Sequence, residues 1–371
     1  MTRKQDDPAV ARILAGYRQP ARNPFGVELA PVMFRATFRA SYCGGRWEDE
    51  GLVPFGPVPV NPASTALQFA QQAFEGMKAY RSASDRPMLF RPNLNWRRFA
   101  RSASRLRMPA VPATLFAEAL SSVTSSLARF IPGGRGQSLY LRPTLFGLDP
   151  HFAVKGSDNF VFLVLASPSD AYYSEPIRVM VERVNCRAAA GGTGAEKVGG
   201  NYGASLLANE NCVAHGFDQS LWLDPVSRQN IEELSAMNFM AVIDGGLHTP
   251  ALSGSLLEGV TRASLLTLAA HLGIETTERV MPVDELLDDI EAGRCTELFA
   301  CGTGAIVAPI GSIGEADGRK FDLPEVNRMS LRLREALLDI QQGKSADSFG
   351  WTVDATDLDV LTRFIEADVS R

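Results

Sequence analysis

The chain has 371 residues, 45% of them hydrophobic and 21% charged, which is typical of a globular protein whose length favours two domains. The formal net charge of -5 argues against a nucleic-acid partner, because domains that bind nucleic acid are usually basic. The N-terminus, MTRKQDDPAV, has no apolar signal core, and no run of about 18 apolar residues occurs. We therefore expect a cytoplasmic protein with no membrane partner.

The first half of the chain mixes helices with strands. Arginines at 97, 98, 101, 105 and 107 have a spacing that predicts a solvated helix face with one member turned inward. Apolar residues at steps of four and three between 113 and 131 predict an amphipathic helix. The segments SLYLRPTLFG (138–147) and NFVFLVLAS (159–167) predict strands, the second of them buried.

The second half begins with a further strand and continues with helices. IRVMVERVN (177–185) and QSLWLD (219–224) predict strands. Helices are predicted in ASLLANENCVAHGF, which ends near Gly216, and in TRASLLTLAAHLGI (261–274), which Gly273 stops. A last helix is predicted in VNRMSLRLREALLDIQQG (326–343).

The segment SPSDAYYSEP (167–176) interrupts these patterns with two prolines and small polar residues, which is typical of a linker. We therefore predict an α/β protein with a small N-terminal α+β domain over 1–166 and an interdomain linker over 167–176. A larger, mixed α/β C-terminal domain is expected over 177–371, and its tail from 352 is acidic.

The cysteines and histidines do not indicate a disulfide framework or a metal site. The five cysteines, at 43, 186, 212, 295 and 301, are odd in number and form no C-x-x-C pair. The four histidines, at 151, 215, 248 and 271, lie far apart. We predict no metal ligand.

One lysine, Lys197, stands inside the glycine-rich stretch GGTGAEKVGGNYGASLL (191–207). Six glycines in so short a stretch indicate either a flexible surface loop or a place where the backbone approaches another group closely. A lysine there is either an ordinary solvated charge or, if desolvated, a nucleophile towards carbonyls. The spacing does not match a P-loop, which disfavours a nucleoside triphosphate site.

A carbonyl cofactor bound to lysine suggests pyridoxal phosphate, which needs two further features. A carboxylate must hold the proton of the pyridine ring, and IEELSAMN offers Glu232 and Glu233. Backbone N–H groups must bind the phosphate, and Gly259 precedes a predicted helix. The small-residue turn CGTGAIVAP (301–309), with Thr303, is a second candidate. Each feature is weak by itself.

Taken together in chain order, eight motifs resemble the branched-chain aminotransferases, a fold-type IV family of pyridoxal-phosphate enzymes. They are FEGMKAYR (74–81), RPNLNWRR (91–98), SLYLRPT (138–144), EKVGGNYGAS (196–205), LWLD (221–224), EELSAMN (232–238), LSGSLLEGVTR (252–262) and CGTGA (301–305). The resemblance runs from about residue 20 to Trp351. It implies a two-domain α/β fold with the active site between the domains and the cofactor bound by the C-terminal one.

The resemblance also implies a role for each matched residue of the cofactor site. Lys197 is expected to be the Schiff-base and proton-shuttling residue, and Tyr202 to hydrogen-bond the phenolic oxygen of the cofactor. Glu233, rather than Glu232, matches the family's partner of the pyridine nitrogen. The expected phosphate ligands are Arg98, the backbone N–H groups of Val260 and Thr261, and Thr303.

The implied reaction is a ping-pong transamination between an L-branched-chain amino acid (leucine, isoleucine or valine) and 2-oxoglutarate. The turn at 303–304 is expected to bind the substrate carboxylate. The family forms homodimers, and residues of one subunit complete the partner's site, so we expect a homodimer acting on amino acids and 2-oxo acids. The residues expected on the substrate side are Phe69, Phe74, Tyr140, Arg142, Ala236, Gly304 and Ala305.

Several positions depart from the family pattern and leave the substrate open. Phe69 stands where tyrosine is common, Ala236 where glycine or threonine is usual, and Gly304 where alanine is common. An alternative function is therefore transamination of aromatic or β-substituted amino acids in a specialised pathway. A catalytically dead scaffold is a rival of another class, but the retention of Lys197 and its implied cofactor partners argues against it.

Overall fold

A computed structural model describes residues 36–170, 175–324 and 328–367. The described residues form two compact units, divided within the predicted linker and again between 338 and 339. The N-terminal segment MTRKQDDPAV, the start of the family resemblance, residues 171–174 of the linker and residues 326–327 of the last predicted helix lie outside the described residues. In the part of the chain that is described, no helix is long and apolar enough to cross a bilayer.

The first unit begins with strands that form an antiparallel sheet. These strands are β1 (Ala36–Cys43), β2 (Arg46–Pro54), β3 (Gln72–Phe74), β4 (Met77–Arg81), β5 (Pro87–Phe90), β6 (Ser138–Gly147) and β7 (Phe160–Ser169). The helices are α1 (Thr65–Phe69), α2 (Pro92–Arg105) and α3 (Ala113–Leu127), the last followed by a 3₁₀ turn at Ala128–Phe130. The predicted strands and the predicted amphipathic helix of this half are thus confirmed.

The core of this unit forms because the apolar positions of the helices face the sheet. Phe99 of α2, Phe116 of α3 and Phe162 of β7 are each no more than 1% exposed, and their ring centroids lie 5.9–6.2 Å apart. Arg98 of α2 is buried, whereas Arg101 and Arg105 are exposed. One arginine of the cluster therefore does turn inward.

The second unit contains a sheet with short helices around it. Its strands are β8 (Ile177–Glu182), β9 (Gln219–Leu223), β10 (Ile231–Leu234), β11 (Asn238–Ile243), β12 (Gly246–Pro250), β13 (Thr276–Arg279), β14 (Cys295–Gly302), β15 (Ile306–Gly314) and β16 (Lys320–Asp322). Its helices are α4 (Gly199–Gly203), α5 (Leu206–Ala214), α6 (Val260–His271) and α7 (Val283–Glu291), and α8 (Arg328–Gln341) contains the boundary with the first unit.

Six of these strands close a ring in the order β10-β9-β8-β15-β14-β11, because β10 pairs with both β9 and β11. The strands β8 and β9 are parallel, as are β15 and β8, and most other pairs are antiparallel. Apolar residues such as Val179, Leu221, Phe239 and Leu298 fill the core of this unit and are fully buried. The closed ring fixes the turns that follow β10 and β14.

The C-terminal segment corrects the predicted domain division. The chain from 339 belongs to the first unit, so the tail from 352 is not part of the C-terminal domain, and the first unit is not the smaller one. A last strand, β17 (Thr352–Asp354), pairs with β5, and a last helix, α9 (Leu358–Glu366), packs on α2 and α3. The physical reason lies in Leu361 and Ile365, which α9 buries completely, and in Trp351, which packs against Phe90.

Candidate active site

Lys197 lies in the second unit, two residues before α4. Its Nζ donates a hydrogen bond of 2.7 Å to the hydroxyl oxygen of Tyr202 and lies 5.1 Å from the centroid of that ring. The lysine is half-buried. The first turn after the lysine therefore brings together the two residues predicted to bind the carbonyl end of the cofactor.

Close packing explains one of the glycines before Lys197. A Cβ at Gly194 would lie 2.4 Å from the carbonyl oxygen of Ser255 and 2.5 Å from the Cβ of Ala188. No side chain fits at that distance, so the loop can pass Ser255 only with glycine at 194. Of the two explanations that the composition left open, a close approach holds at this position.

The loop before Lys197 is also fixed by a side chain of α4. The Nδ2 of Asn201 donates to the carbonyl oxygens of Thr193 and Glu196, at 2.7 and 2.9 Å. The hydroxyl of Thr193 in turn donates to Oδ1 of Asn201 at 2.7 Å. These bonds close the loop onto the helix and hold the backbone on both sides of the lysine.

Glu233 of β10 is buried and has three hydrogen-bonding partners. Its Oε1 lies 2.9 Å from Nη2 of Arg187. Its Oε2 accepts from Nδ2 of Asn238 at 2.9 Å and from the backbone N–H of Leu257 at 3.3 Å. Burial raises the pKa of Glu233 to about 7, although the positive charges of Arg187 and Lys197 act in the opposite direction. The carboxyl group therefore titrates near neutral pH.

The neighbouring Glu232 has different surroundings. Its Oε1 accepts from the hydroxyl of Ser255, and its Oε2 is buried without a hydrogen-bond partner among the described residues. Burial raises its pKa as well. Lys197 contributes to the pKa of Glu233 and is not among the main influences on Glu232. This difference favours Glu233 as the carboxylate that acts with the lysine.

The N-terminus of α6 offers backbone N–H groups for an anion. Its N-cap residue is Gly259, so no side chain caps the helix, and the first-turn N–H groups of Val260 and Thr261 have no partner within the helix. A Cβ at Gly259 would lie 2.0 Å from Oδ1 of Asn238. Glycine thus lets the helix begin directly beside the residue that holds Glu233, and such a helix start favours phosphate.

The turn between β14 and β15 contains Thr303, Gly304 and Ala305. It lies beside the turn with Ala236, because a Cβ on Gly302 would be 3.6 Å from the carbonyl oxygen of Ala236. The residue that follows, Ile306, is buried with a φ of 65°, a left-handed conformation that is rare for a β-branched side chain. Strain of this kind is concentrated at functional sites.

Three of the predicted substrate residues meet in the first unit. Arg142 of β6 donates from Nη2 to the hydroxyl of Tyr140 at 3.0 Å, and its guanidinium lies 4.7 Å from the ring centroid of Phe74. The buried Nε of Arg142 has no hydrogen-bond partner within the described ranges. A Cβ at Gly76 would lie 2.0 Å from the hydroxyl of Tyr140, so glycine at 76 is needed for this arrangement. Phe69 is not part of the group and is 41% exposed at the end of α1.

Arg98 has a buried acidic partner in its own unit. Its Nε and Nη2 donate to the two carboxylate oxygens of Glu75, at 2.6 and 2.9 Å. Glu75 is completely buried and accepts a further bond of 2.7 Å from Nδ2 of Asn95. The phosphate role of Arg98 stays a prediction, and the structure adds a bidentate ion pair that fixes its guanidinium.

Sequence reasoning missed Arg187, Asn238 and Glu75 as members of these two groups. Both Glu75 and Asn238 lie inside motifs that carried the resemblance. Glu75 directly follows Phe74 in FEGMKAYR, and Asn238 is two positions after Ala236 in EELSAMN. Arg187 follows a strand and precedes the glycine-rich loop, a position that could have drawn attention to it. Its partner, however, is 46 positions away, and only the closed ring of strands brings the two together.

The second unit can accommodate pyridoxal phosphate by these criteria. This unit contains the lysine amine, the buried carboxylate of Glu233 and a helix N-terminus without a side-chain cap. Because residue 259 is glycine, no side chain blocks the start of that helix. The amine, the carboxylate and the helix N–H groups match the carbonyl, the protonated ring nitrogen and the phosphate of that cofactor, respectively.

Comparison with known proteins identifies the class. Residues 72–313 match the family described as amino-transferase class IV, and the chain belongs to that family. Solved structures agree: the chain resembles the branched-chain amino acid aminotransferase of Escherichia coli, with a TM-score of 0.70 and 27% identity over 86% of this chain and 99% of that one. The α/β, fold-type IV architecture predicted from the motifs is thereby confirmed.

Within that family, the chain belongs with the branched-chain-amino-acid aminotransferases. It is 42% identical over 313 residues to a probable enzyme of that name from Streptomyces coelicolor, covering 83% of this chain and 86% of the relative. It is 40% identical over 321 residues to the one from Mycobacterium tuberculosis, covering 84% and 87%. The T.th. enzyme solved with pyridoxamine 5'-phosphate is also similar, with a TM-score of 0.69 and 29% identity over 85% of this chain and 98% of that one.

Proposed function

We propose that this enzyme uses pyridoxal phosphate to transfer an amino group between L-leucine, L-isoleucine or L-valine and 2-oxoglutarate in a ping-pong cycle. The observation that carries the proposal is the 2.7 Å bond between Lys197 Nζ and the hydroxyl of Tyr202, in the same unit as the buried carboxylate of Glu233. The names of the similar proteins support the choice of branched-chain substrates.

Three sets of residues of this chain bind three parts of the cofactor: its carbonyl end, its ring nitrogen and its phosphate. Lys197 holds it through its amine, and Tyr202 hydrogen-bonds its phenolic oxygen. Glu233 faces the ring nitrogen, and an ionised carboxylate there keeps that nitrogen protonated by charge pairing. The N–H groups of Val260 and Thr261 and the side chain of Thr303 bind the phosphate. When bound, the cofactor supplies an electron sink for the substrate's Cα.

Lys197 is also the residue that moves protons. With the cofactor bound, Nζ would carry the proton from the substrate's Cα to the C4′ carbon of the cofactor in the first half of the cycle. In the second half it would carry a proton in the opposite direction, to the Cα of the new amino acid. The hydroxyl of Tyr202 accepts a hydrogen bond of 2.7 Å from Nζ, and this bond limits where the amine can reach. In the first unit, the predicted substrate residues Tyr140, Arg142 and Phe74 offer a hydroxyl, an arginine and an aromatic face.

We also propose that the enzyme works as a homodimer. Three apolar side chains of α5, Leu206, Leu207 and Val213, are 64–67% exposed, and Phe152 and Val154 in the first unit are 78% and 96% exposed. Exposed apolar groups of this kind favour an interface. Sedimentation equilibrium should give twice the chain mass of 40.2 kDa, and a monomer in the active fraction would contradict the proposal.

The decisive experiment is to reduce the cofactor-loaded enzyme with borohydride and to map the modified peptide. Lys197 is expected to carry the cofactor, and Lys197→Ala is expected to lose transamination while remaining folded. Lys320→Ala is the matched control, because Lys320 is half-exposed in the same unit and pairs with Asp322 at 2.6 Å. Modification of another lysine, or substantial turnover in Lys197→Ala, would disprove the assignment.

A further inference from the structure

Arg187 is a buried arginine of the second unit that none of the roles above uses. It is 8% exposed. Its Nη2 lies 2.9 Å from Oε1 of Glu233 and 3.2 Å from the carbonyl oxygen of Gly194, and it also donates to the carbonyl oxygen of Ser255. One guanidinium therefore connects the carboxylate, the loop that leads to Lys197 and the segment that leads to α6.

The main charged influences on the pKa of Glu233 come from three residues. Arg187 and Lys197 favour its ionised form, and Glu232 opposes it. Glu233 in turn raises the pKa of the thiol of Cys301 on β14, the strand beyond β11. Arg187 is the positive group in direct contact with Glu233. Its charge therefore counteracts most strongly the rise in the pKa of Glu233 that burial causes.

The hydrogen bonds leave room for the ring nitrogen. An ionised carboxylate offers about four acceptor positions. Asn238 and Leu257 occupy two on Oε2, and Arg187 occupies one on Oε1. Among the described residues, one position on Oε1 is left for a further N–H, and Arg187 fixes the direction in which it points.

We propose that Arg187 is a positioning residue that favours the ionised form of Glu233 and aims its Oε1 at the ring nitrogen of the cofactor. This inference rests on the proposed function, because it assumes that pyridoxal phosphate binds beside Glu233. It predicts that loss of the charge at 187 changes the pH at which the cofactor binds, and not only how tightly it binds.

The test measures the dissociation constant of pyridoxal phosphate for the cofactor-free protein across pH 5.5 to 9. Arg187→Gln removes the charge but keeps a side-chain N–H donor, and Arg187→Lys keeps the charge. The control is Arg183→Met, since Arg183 is a partly buried arginine that pairs with Glu315 and Asp284 instead. Arg187→Met is a second neutral variant if the glutamine variant does not fold.

In the wild type, binding should weaken as the pH falls through the midpoint at which Glu233 takes up a proton. In Arg187→Gln that midpoint should rise by about one to three pH units, because this is the effect of an adjacent opposite charge on a carboxyl group. Arg187→Lys should restore most of the wild-type midpoint, and Arg183→Met should have the wild-type midpoint. In a protein that already carries Glu233→Gln, adding Arg187→Gln should not change the pH dependence of binding.

Two negative results are distinguishable. If the wild-type protein does not bind pyridoxal phosphate at any pH, the proposed function fails and this inference fails with it. If it binds, but Arg187→Gln weakens binding equally at every pH, the proposed function stands and Arg187 has only a structural role in the loop.

Discussion

The buried ion pair between Arg98 and Glu75 gives the sharpest stability prediction. Glu75→Gln keeps the size of the side chain but replaces one carboxylate oxygen by an amide NH₂. Both oxygens accept from Arg98, and Oε2 also accepts from Asn95, so the new donor must face another donor. The substitution also removes the negative charge that Glu75 places beside the guanidinium of Arg98, whose side chain is only 7% exposed.

Removing one partner of a buried pair costs about 3–5 kcal/mol, because the other charge stays buried. Loss of that much is a large fraction of the usual stability of about 5–15 kcal/mol. The double variant Glu75→Gln/Arg98→Met removes both charges of the pair, so it should be more stable than Glu75→Gln alone. Glu48→Gln is the control, because its pair with Arg46 is exposed on both sides.

Urea unfolding of the cofactor-free protein, followed by tryptophan fluorescence, measures these differences. Three of the four tryptophans, at 47, 96 and 351, lie in the first unit, so the signal mainly reports the unit that contains the pair. Working without cofactor separates stability from any phosphate contact of Arg98. A loss below about 1 kcal/mol in Glu75→Gln, or a double variant less stable than both single ones, would refute the reasoning.

Four further outcomes are expected. Because burial raises the pKa of Glu233 to about 7, above its ordinary 4.5, the folded state binds more protons than the unfolded state between these values. The unfolding free energy should therefore fall as pH rises from about 5 to 7, and Glu233→Gln should lack this slope in denaturation curves. Glu233→Gln should reduce kcat much more than Glu232→Gln; the reverse would exchange the two glutamates. Gly194→Ala should lower the melting temperature, since its Cβ would meet Ser255 at 2.4 Å, whereas Gly203→Ala, with open space around it, should not. Gly304→Ala should lower kcat/KM for phenylalanine relative to isoleucine by about tenfold, as expected for one methyl group in a pocket; an unchanged ratio would exclude Gly304 as a specificity residue.

Local patterns predicted most of the secondary structure because periodicity and β-propensity operate over a few residues. The helix over 113–131 is α3 with its 3₁₀ extension, and SLYLRPTLFG is β6 from its first residue to its last. The strand in IRVMVERVN ends earlier than expected, at Glu182, whose carboxylate accepts the next two free N–H groups, those of Val184 and Asn185. A side chain that bonds nearby backbone in this way favours a turn over a continued strand.

The C-terminal segment could not be placed from such patterns. β17 has three residues, too few to show a period, and it pairs with β5 more than 260 positions earlier. The resemblance extended to Trp351, but the partners of this residue were not visible in the sequence. Trp351 stacks on Phe349 at 4.2 Å, lies under the guanidinium of Arg91 at 4.8 Å and accepts the N–H of that residue through its carbonyl oxygen at 2.7 Å.

The candidate site likewise depends on some residues that are close in sequence and on others that are far apart. Lys197 and Tyr202 are five positions apart, so the motif that names them also brings them together. The ionisation of Glu233 depends on Arg187 and Lys197, which reach it only through the pairing of β8, β9 and β10. Sequence motifs therefore identify the side chains that take part in the reaction. Whether such a side chain is ionised depends on contacts between strands, which the motifs do not show. For that reason the pH dependence of cofactor binding, rather than activity alone, is the measurement that tests the structure beyond the motifs.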